Sequence, residues 1–382
     1  MVTDFNQIID RKNTDSMKWN CNQGDVIPLW VADTDFLCPQ PVIEALQARI
    51  SHGIFGYFTP FDGLIETICT HLDNHFQWKV KPEDILLMPG VVPSLNLACQ
   101  TVGKPGDGLL TNPPIYGPFL QLAKNGGFES QLVDMLQNQD GSYVLDLDQF
   151  KAVIRPNTKV FAMCNPHNPV GRVFTYDELD KIAQLCIEHD MYVCSDDMHS
   201  DLIFSGHQHT PIASLYPEIA ERCITIMSPS KTFNIAGLDC AFAVIQNEDL
   251  RNKYQNAKKG LIGRVNLLGH VAAEAAYRHG QTWLKDMMTY LEGNRDYMVS
   301  FVNQELPGIK MTAPEGTFLA WLDCRQTAFK QEAAAYFLEN AKVQVNDGLF
   351  FGEAGRGFIR INFGCPRSTL EEGLTRLQQS LE

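Results

Sequence analysis

What this chain lacks narrows it before any motif is read. No apolar run approaches the roughly 18–20 residues needed to cross a membrane, so no membrane association is expected. Cationic side chains are in deficit: 31 Lys and Arg stand against 45 Asp and Glu, a formal net charge of −14. With no surplus to meet phosphates, the composition argues against a nucleic-acid partner. The 11 cysteines are odd in number and form no Cys-x-x-Cys pair, so free thiols in a reducing cytoplasm are expected. Met1-Val2-Thr3-Asp4-Phe5 has neither a basic n-region nor an apolar h-region, and no secretory signal is expected. Tandem repeats and low-complexity linkers are also absent.

What is present reads as a soluble α/β protein. At 382 residues the chain exceeds one average domain. Residues 159–164, 191–194, 223–227 and 241–245 are short, almost wholly apolar runs, the pattern of strands buried on both faces. Between the first two, Leu179, Ile182, Ala183, Leu185 and Cys186 fall at helical spacing over 175–189. Thr175 followed by Glu178 is a capping-box start for that helix. From about Leu284 a long polar helix, a strand over 317–322, a further helix, a strand over 358–363 and a closing helix predict a separate α+β lobe. The expected division is a large domain over 46–283 and a small one from 1–45 with 284–382.

Ligands of open α/β sheets bind beyond the carboxyl ends of the strands, so the residues after each run carry the most information. After the first come Asn165-Pro166-His167-Asn168-Pro169-Val170-Gly171. The second leads into Ser195-Asp196-Asp197-Met198-His199, and the third into Ser228-Pro229-Ser230-Lys231. Earlier, Pro89-Gly90-Val91-Val92 turns into a helix, a place where free N–H groups and the helix dipole favour an anion. Pyridoxal phosphate asks for such a set: a lysine for its aldehyde, an acid for its pyridine nitrogen, donors at its phenolate and an anion cradle. Lys231, Asp196, the pair Asn168 and His199, and Gly90, Val91 and Val92 with Ser228 would fill those places. Asp196 and Asp197 could also form a turn, or with His199 a metal site, and Asn-Pro is a common turn pair.

These motifs resemble those of the fold-type I pyridoxal-phosphate enzymes, the aspartate aminotransferase superfamily, along essentially the whole chain. Asn-Pro-His-Asn-Pro-Val-Gly is similar to that family's Asn-Pro-x-Asn-Pro-x-Gly loop, and Ser-Pro-Ser-Lys-Thr-Phe to its cofactor-lysine motif, which adds Ser230. Asn112-Pro113-Pro114-Ile115-Tyr116 resembles the segment whose tyrosine stacks on the cofactor ring, and Tyr116 joins Lys231 and Asp196 in the implied catalytic set. Gly56-Tyr57-Phe58-Thr59-Pro60 resembles the segment whose tyrosine reaches the site of the other subunit. Tyr57 is therefore implied at cofactor and substrate, and a homodimer with shared sites is implied with it. Arg360 resembles the arginine that holds the substrate α-carboxylate.

Asn13-Thr14-Asp15-Ser16-Met17-Lys18-Trp19 and Leu29-Trp30-Val31-Ala32-Asp33-Thr34-Asp35-Phe36 resemble the MalY/PatB group of C–S β-lyases, which implies a substrate contact at Ala32. His199 stands where many transaminases have tyrosine, and Asp239 where they commonly have a phosphate-binding arginine. Thr34 and Ser200 depart from the group's usual methionine and cysteine or alanine. The resemblance implies a mostly parallel seven-stranded sheet with a smaller α+β domain. It also implies a pyridoxal 5'-phosphate cofactor, an amino-acid substrate and cleavage of L-cystathionine or another L-cysteine S-conjugate, with a class I/II aminotransferase as the alternative.

Overall fold

A computed structural model describes residues 3–22, 24–59 and 62–382. Pro60, the last residue of the Gly56–Pro60 motif, lies outside them. The main sheet contains β1 (Ile85–Met88), β2 (Gly108–Thr111), β3 (Glu129–Leu132), β4 (Thr158–Cys164), β5 (Tyr192–Asp196), β6 (Cys223–Met227) and β7 (Ala241–Val244). Their spatial order is β1-β7-β6-β5-β4-β2-β3, seven strands as expected. The pairs from β6 through β5, β4 and β2 to β3 are parallel. Only β7 reverses, running antiparallel to both β6 and β1.

Both faces of this sheet are covered, and β4 shows why its run is apolar throughout. Phe161 and Met163 enter one buried cluster, while Val160, Ala162 and Cys164 enter another on the opposite face. In β7 the same alternation sends Phe242 and Val244 one way and Ala241 and Ala243 the other. A sheet buried this way has no room for charge except at its strand ends.

Helices that position the site are α1 (Gln40–Ser51), α2 (Asp62–Phe76), α3 (Val91–Val102), α4 (Tyr176–Glu188), α5 (Pro229–Thr232) and α6 (Gln281–Glu305). The capping box of α4 forms as expected: Glu178 N–H donates to Thr175 Oγ1 at 3.3 Å and Thr175 N–H to Glu178 Oε2 at 2.8 Å. Arg172, just after the Asn165–Gly171 loop, bridges Glu178 at 2.5 Å and Glu315 at 2.9 Å. Gly171 has φ +73°, and a Cβ there would collide with Pro314, so the loop's glycine is required by backbone and space together.

The second sheet is antiparallel: β8 (Leu319–Asp323), β9 (Asn346–Asp347) and β10 (Phe358–Asn362), in the order β8-β10-β9. The strand expected from Thr317 begins two residues later. Thr317 takes φ +71° and turns its N–H to Leu202 O, which breaks the extended run before Leu319. Near the start of the chain, Ile27 and Pro28 pair in parallel with Val343 and Gln344. The positions 45/46 and 283/284 lie inside α1 and α6, so continuous helices join the two regions.

A buried ion cluster ties residues 11–19 to residues 33–35. Lys18 Nζ, wholly buried, meets Asp35 at 2.7 Å; Arg11 reaches Asp35 at 2.6 Å and Asp33 at 2.8 Å. Trp19 Nε1 donates to Asp35 at 2.8 Å. Asp35 therefore satisfies three donors, and removing it leaves the buried ammonium with only the longer contacts to Asp33, 3.3 Å to its carbonyl and 3.7 Å to its carboxylate. We expect Asp35→Ala to lower unfolding free energy by about 3–5 kcal/mol in urea titration, the usual effect of breaking a buried pair. A change within experimental error would show that the cluster does not hold these residues together.

Candidate active site

The carboxyl ends of β4, β5 and β6 open into one cleft of about 670 Å³. Lys231 enters it from α5, a single turn that starts at once after β6. Ser228 caps that turn, accepting Ser230 N–H at 3.1 Å and donating its own hydroxyl to Cys240 O at 2.7 Å. The Lys231 ammonium donates to the carbonyl of Ala32, so Ala32 meets the lysine through its backbone. Burial lowers the Lys231 pKa to about 8; Asp33 and Asp196 pull it up and Arg360 pushes it down. A lysine near 8 supplies a free amine at mild pH, which a nucleophile or general base needs.

Asp196 ends β5 with its carboxyl buried. Burial raises its pKa to about 7, against the Met198 N–H that donates to it at 3.2 Å; Asp197 raises it further and Lys231 lowers it. Asp197 points to the other side of the sheet, as alternation requires. Ser195 Oγ donates to it, and His209 Nε2 pairs with it at 2.9 Å. Asp196, Asp197 and His199 therefore do not converge as one ligand set, and among the described residues no cluster of His, Cys, Asp or Glu is arranged to hold a metal. His199 is buried beside the cleft with Nδ1 unpartnered. Burial, then Lys231 and Arg360, press its pKa to about 3, so the imidazole is neutral.

Arg360 comes from the second sheet. Its guanidinium is buried and donates to Asn168 Oδ1 at 3.0 Å, Trp30 O at 2.8 Å and Asn346 Oδ1 at 2.6 Å, over the Phe351 ring. All of these partners are neutral. Among the described residues no carboxylate pairs with it, and Nε has no partner. Burial lowers its pKa to about 10. A buried cation without a counter-ion is costly, and a bound carboxylate in the cleft would offset that cost.

Gly90 is the N-cap of α3 and offers no capping side chain, so the first N–H groups of a 12-residue helix are left for another acceptor at the cleft, beside Val91 and Val92. Tyr116 is half-buried on the cleft wall, its pKa raised by burial. Ser230 and Asp239 line the cleft as well. Tyr57 does not. It stands fully exposed and apart from the other candidate residues of its own chain.

The model of the aminotransferase class I and II family matches residues 24–377. The chain belongs to this family. It is 38% identical to the cystathionine beta-lyase PatB of Bacillus subtilis, over 99% of both chains. The solved structure of OvoB is 40% identical, with a TM-score of 0.95 and 99% of each chain covered. Cystalysin from Treponema denticola, whose structure contains a pyridoxal 5'-phosphate cofactor, is 34% identical with a TM-score of 0.96, covering 100% of this chain and 99% of its own.

The residues present fit that group. An amine of lowered pKa, a buried acid, an imidazole with an unpartnered nitrogen and an uncapped helix N-terminus face one cleft. Ser228 fits less simply, because its hydroxyl is already given to Cys240.

Several residues of the site carry no chemistry-bearing signal in sequence. The Trp30 carbonyl and Asn346 orient Arg360. Asn362 donates to Val31 O and to Asp33 O at 2.7 Å, and Asn234 holds the Thr34 backbone at 3.1 and 3.0 Å. Asn362 stands two residues after Arg360 and Asn234 three after Lys231, and that nearness is the one sign the sequence offers.

The raised Asp196 pKa has a signed consequence in the cofactor-free protein. An acid that titrates at about 7 when folded and near 3.8 otherwise binds its proton more tightly in the folded state. Its contribution to stability is then lost as pH rises between those values. Asp196→Asn should therefore gain on wild type in urea melts as pH rises from 4 to 7, with a constant margin above. A margin that is the same at pH 5 and pH 8 would contradict the burial of this carboxyl.

Proposed function

We propose that the protein is a pyridoxal-phosphate-dependent C–S β-lyase that cleaves L-cystathionine or related L-cysteine S-conjugates to a thiol, pyruvate and ammonia. The observation that carries this reading is the cleft itself, where an amine of lowered pKa and a buried, unneutralised guanidinium stand together. That pair suits an amino acid held by its carboxylate with its Cα within reach of a base. The resemblance to PatB, a cystathionine beta-lyase by name, supports the choice of reaction. Asp239 at the cleft, where transaminases commonly have arginine, favours elimination over transamination.

In this reading Lys231 would hold the cofactor covalently and Asp196 would keep its ring nitrogen protonated. Asn168 and His199 would serve its ring oxygen, Tyr116 its ring face, and Gly90, Val91, Val92, Ser228 and Ser230 its phosphate. The cofactor, when bound, withdraws electrons from the substrate Cα. Arg360 grips the α-carboxylate through a two-pronged contact, near Ala32. Lys231, as a free amine, would take the Cα proton. The Cβ–S bond then breaks with its electron pair leaving on sulfur as thiolate. Water converts the remaining three-carbon unit to pyruvate and ammonia.

The same proposal includes a homodimer, a cytoplasmic setting and the division into domains 46–283 and 1–45 with 284–382. The exposed Ile50, Ile54, Phe55 and Tyr57 support the dimer, as an apolar stretch that a second copy would cover while Tyr57 enters its site. The free state of all 11 cysteines is consistent with the cytoplasm.

Purified enzyme incubated with L-cystathionine should release pyruvate, ammonia and thiol with no keto acid added. Slow pyruvate formation alongside rapid amino exchange on adding a keto acid would establish the aminotransferase instead. Arg360→Lys should raise KM at least about tenfold, because an ammonium cannot reproduce the planar fork. An unchanged KM would remove Arg360 from the carboxylate site.

A further inference from the structure

Behind the cleft lies a second buried group that the proposed reaction does not use. Asp201 stands two residues beyond His199 on the turn after β5, where Leu202 N–H donates to His199 O at 2.9 Å. Its side chain is 3% exposed, and its two oxygens face different elements. Oδ1 pairs with His71 Nε2 of α2 at 2.8 Å, and Oδ2 accepts the Thr232 hydroxyl at 2.9 Å. Thr232 is itself fully buried and is the residue after Lys231 on the single turn α5. His71 is held in turn by stacking on His75, ring centroids 4.1 Å apart.

We infer that Asp201 is a positioning residue which, through the Thr232 hydroxyl, sets where the Lys231 amine stands relative to the Asp196–His199 turn. This rests on the function proposed above, in which Lys231 carries the cofactor and acts as base. Lys231 and Thr232 share a helix too short to be rigid by itself, since one turn has few internal hydrogen bonds. A cross-link one residue from the lysine, made by a carboxylate five residues from Asp196, ties the amine and the acid to one anchor. Burial raises the Asp201 pKa, but the His71 imidazole and the Thr232 hydroxyl outweigh it and leave the group below its ordinary value, so the anchor is ionised. Charge-assisted bonds to a buried carboxylate are among the stronger ones available for such a tether.

The test uses the cofactor-loaded enzyme and the near-isosteric Thr232→Val, with Thr232→Ser as the conservative rescue. Turnover of L-cystathionine and the visible circular dichroism of the bound cofactor are read at matched cofactor occupancy. Thr232→Val should lose about 10- to 100-fold in kcat, the scale of an ångström-sized misplacement. KM should stay within about threefold, since carboxylate binding is untouched. The cofactor's visible dichroism should change in amplitude, and Thr232→Ser should restore both signals. If Thr232→Val does not fold, Thr232→Ala removes the same hydrogen bond without adding volume and carries the same expectation. A valine or alanine variant with wild-type kcat and dichroism would overturn the inference alone, and so would a serine variant as impaired as they are. A wild-type protein with no visible cofactor band would overturn it together with the function on which it rests.

Discussion

A parallel sheet buried on both faces confines its charged groups to the ends of its strands, and the rest of this molecule is arranged around that constraint. β4, β5 and β6 can be apolar along their length because Val160, Ala162 and Ile224 pack on one side and Phe161, Val193 and Met227 on the other. Thr225 in the middle of β6 is an uncharged exception; the charged residues stand at the strand ends, Lys159 at the start of β4 and Asp196 at the close of β5. Since neighbouring parallel strands stop at the same edge, Asn168, Asp196, His199 and Lys231 are delivered to one cleft without any local segment having to be unusual.

Collecting charge in a desolvated cleft has an electrostatic consequence. Burial drives Asp196 up to about 7, Lys231 down to about 8, His199 down to about 3 and Arg360 down to about 10. Each shift favours the neutral form. A carboxylate beside Arg360 and a cationic ring nitrogen beside Asp196 would each reverse the local penalty. The site thus sacrifices stability in the bare chain for affinity toward a ligand of matching charge, as functional sites commonly do.

Much of this was legible in the sequence, for identifiable reasons. Apolar runs and the Thr175–Glu178 box are local signals, and β4, β6, β7 and α4 formed close to where those signals lie. The reversed direction of β7 was not legible, because an apolar run carries no direction. The setting of Arg360 was missed in part for the same reason: the Trp30 carbonyl and Asn346 reach it across the chain, and a backbone oxygen has no residue-type signature. Lys18 is another case, a lysine that belongs on a surface by composition but is buried here because Asp35 and Asp33 surround it. Tyr57 stands exposed and apart from the cleft in its own chain, so the place the motif implies for it could not be read from one chain.

The central claim is that Lys231 is the residue that binds the cofactor, and one measurement addresses it directly. Enzyme purified with pyridoxal phosphate should be yellow, and borohydride should bleach the visible band while fixing a pyridoxyl group on the protein. Peptide mapping should then find that group on Lys231. A pyridoxyl group on any other lysine, or a protein that never acquires the band, would contradict the account.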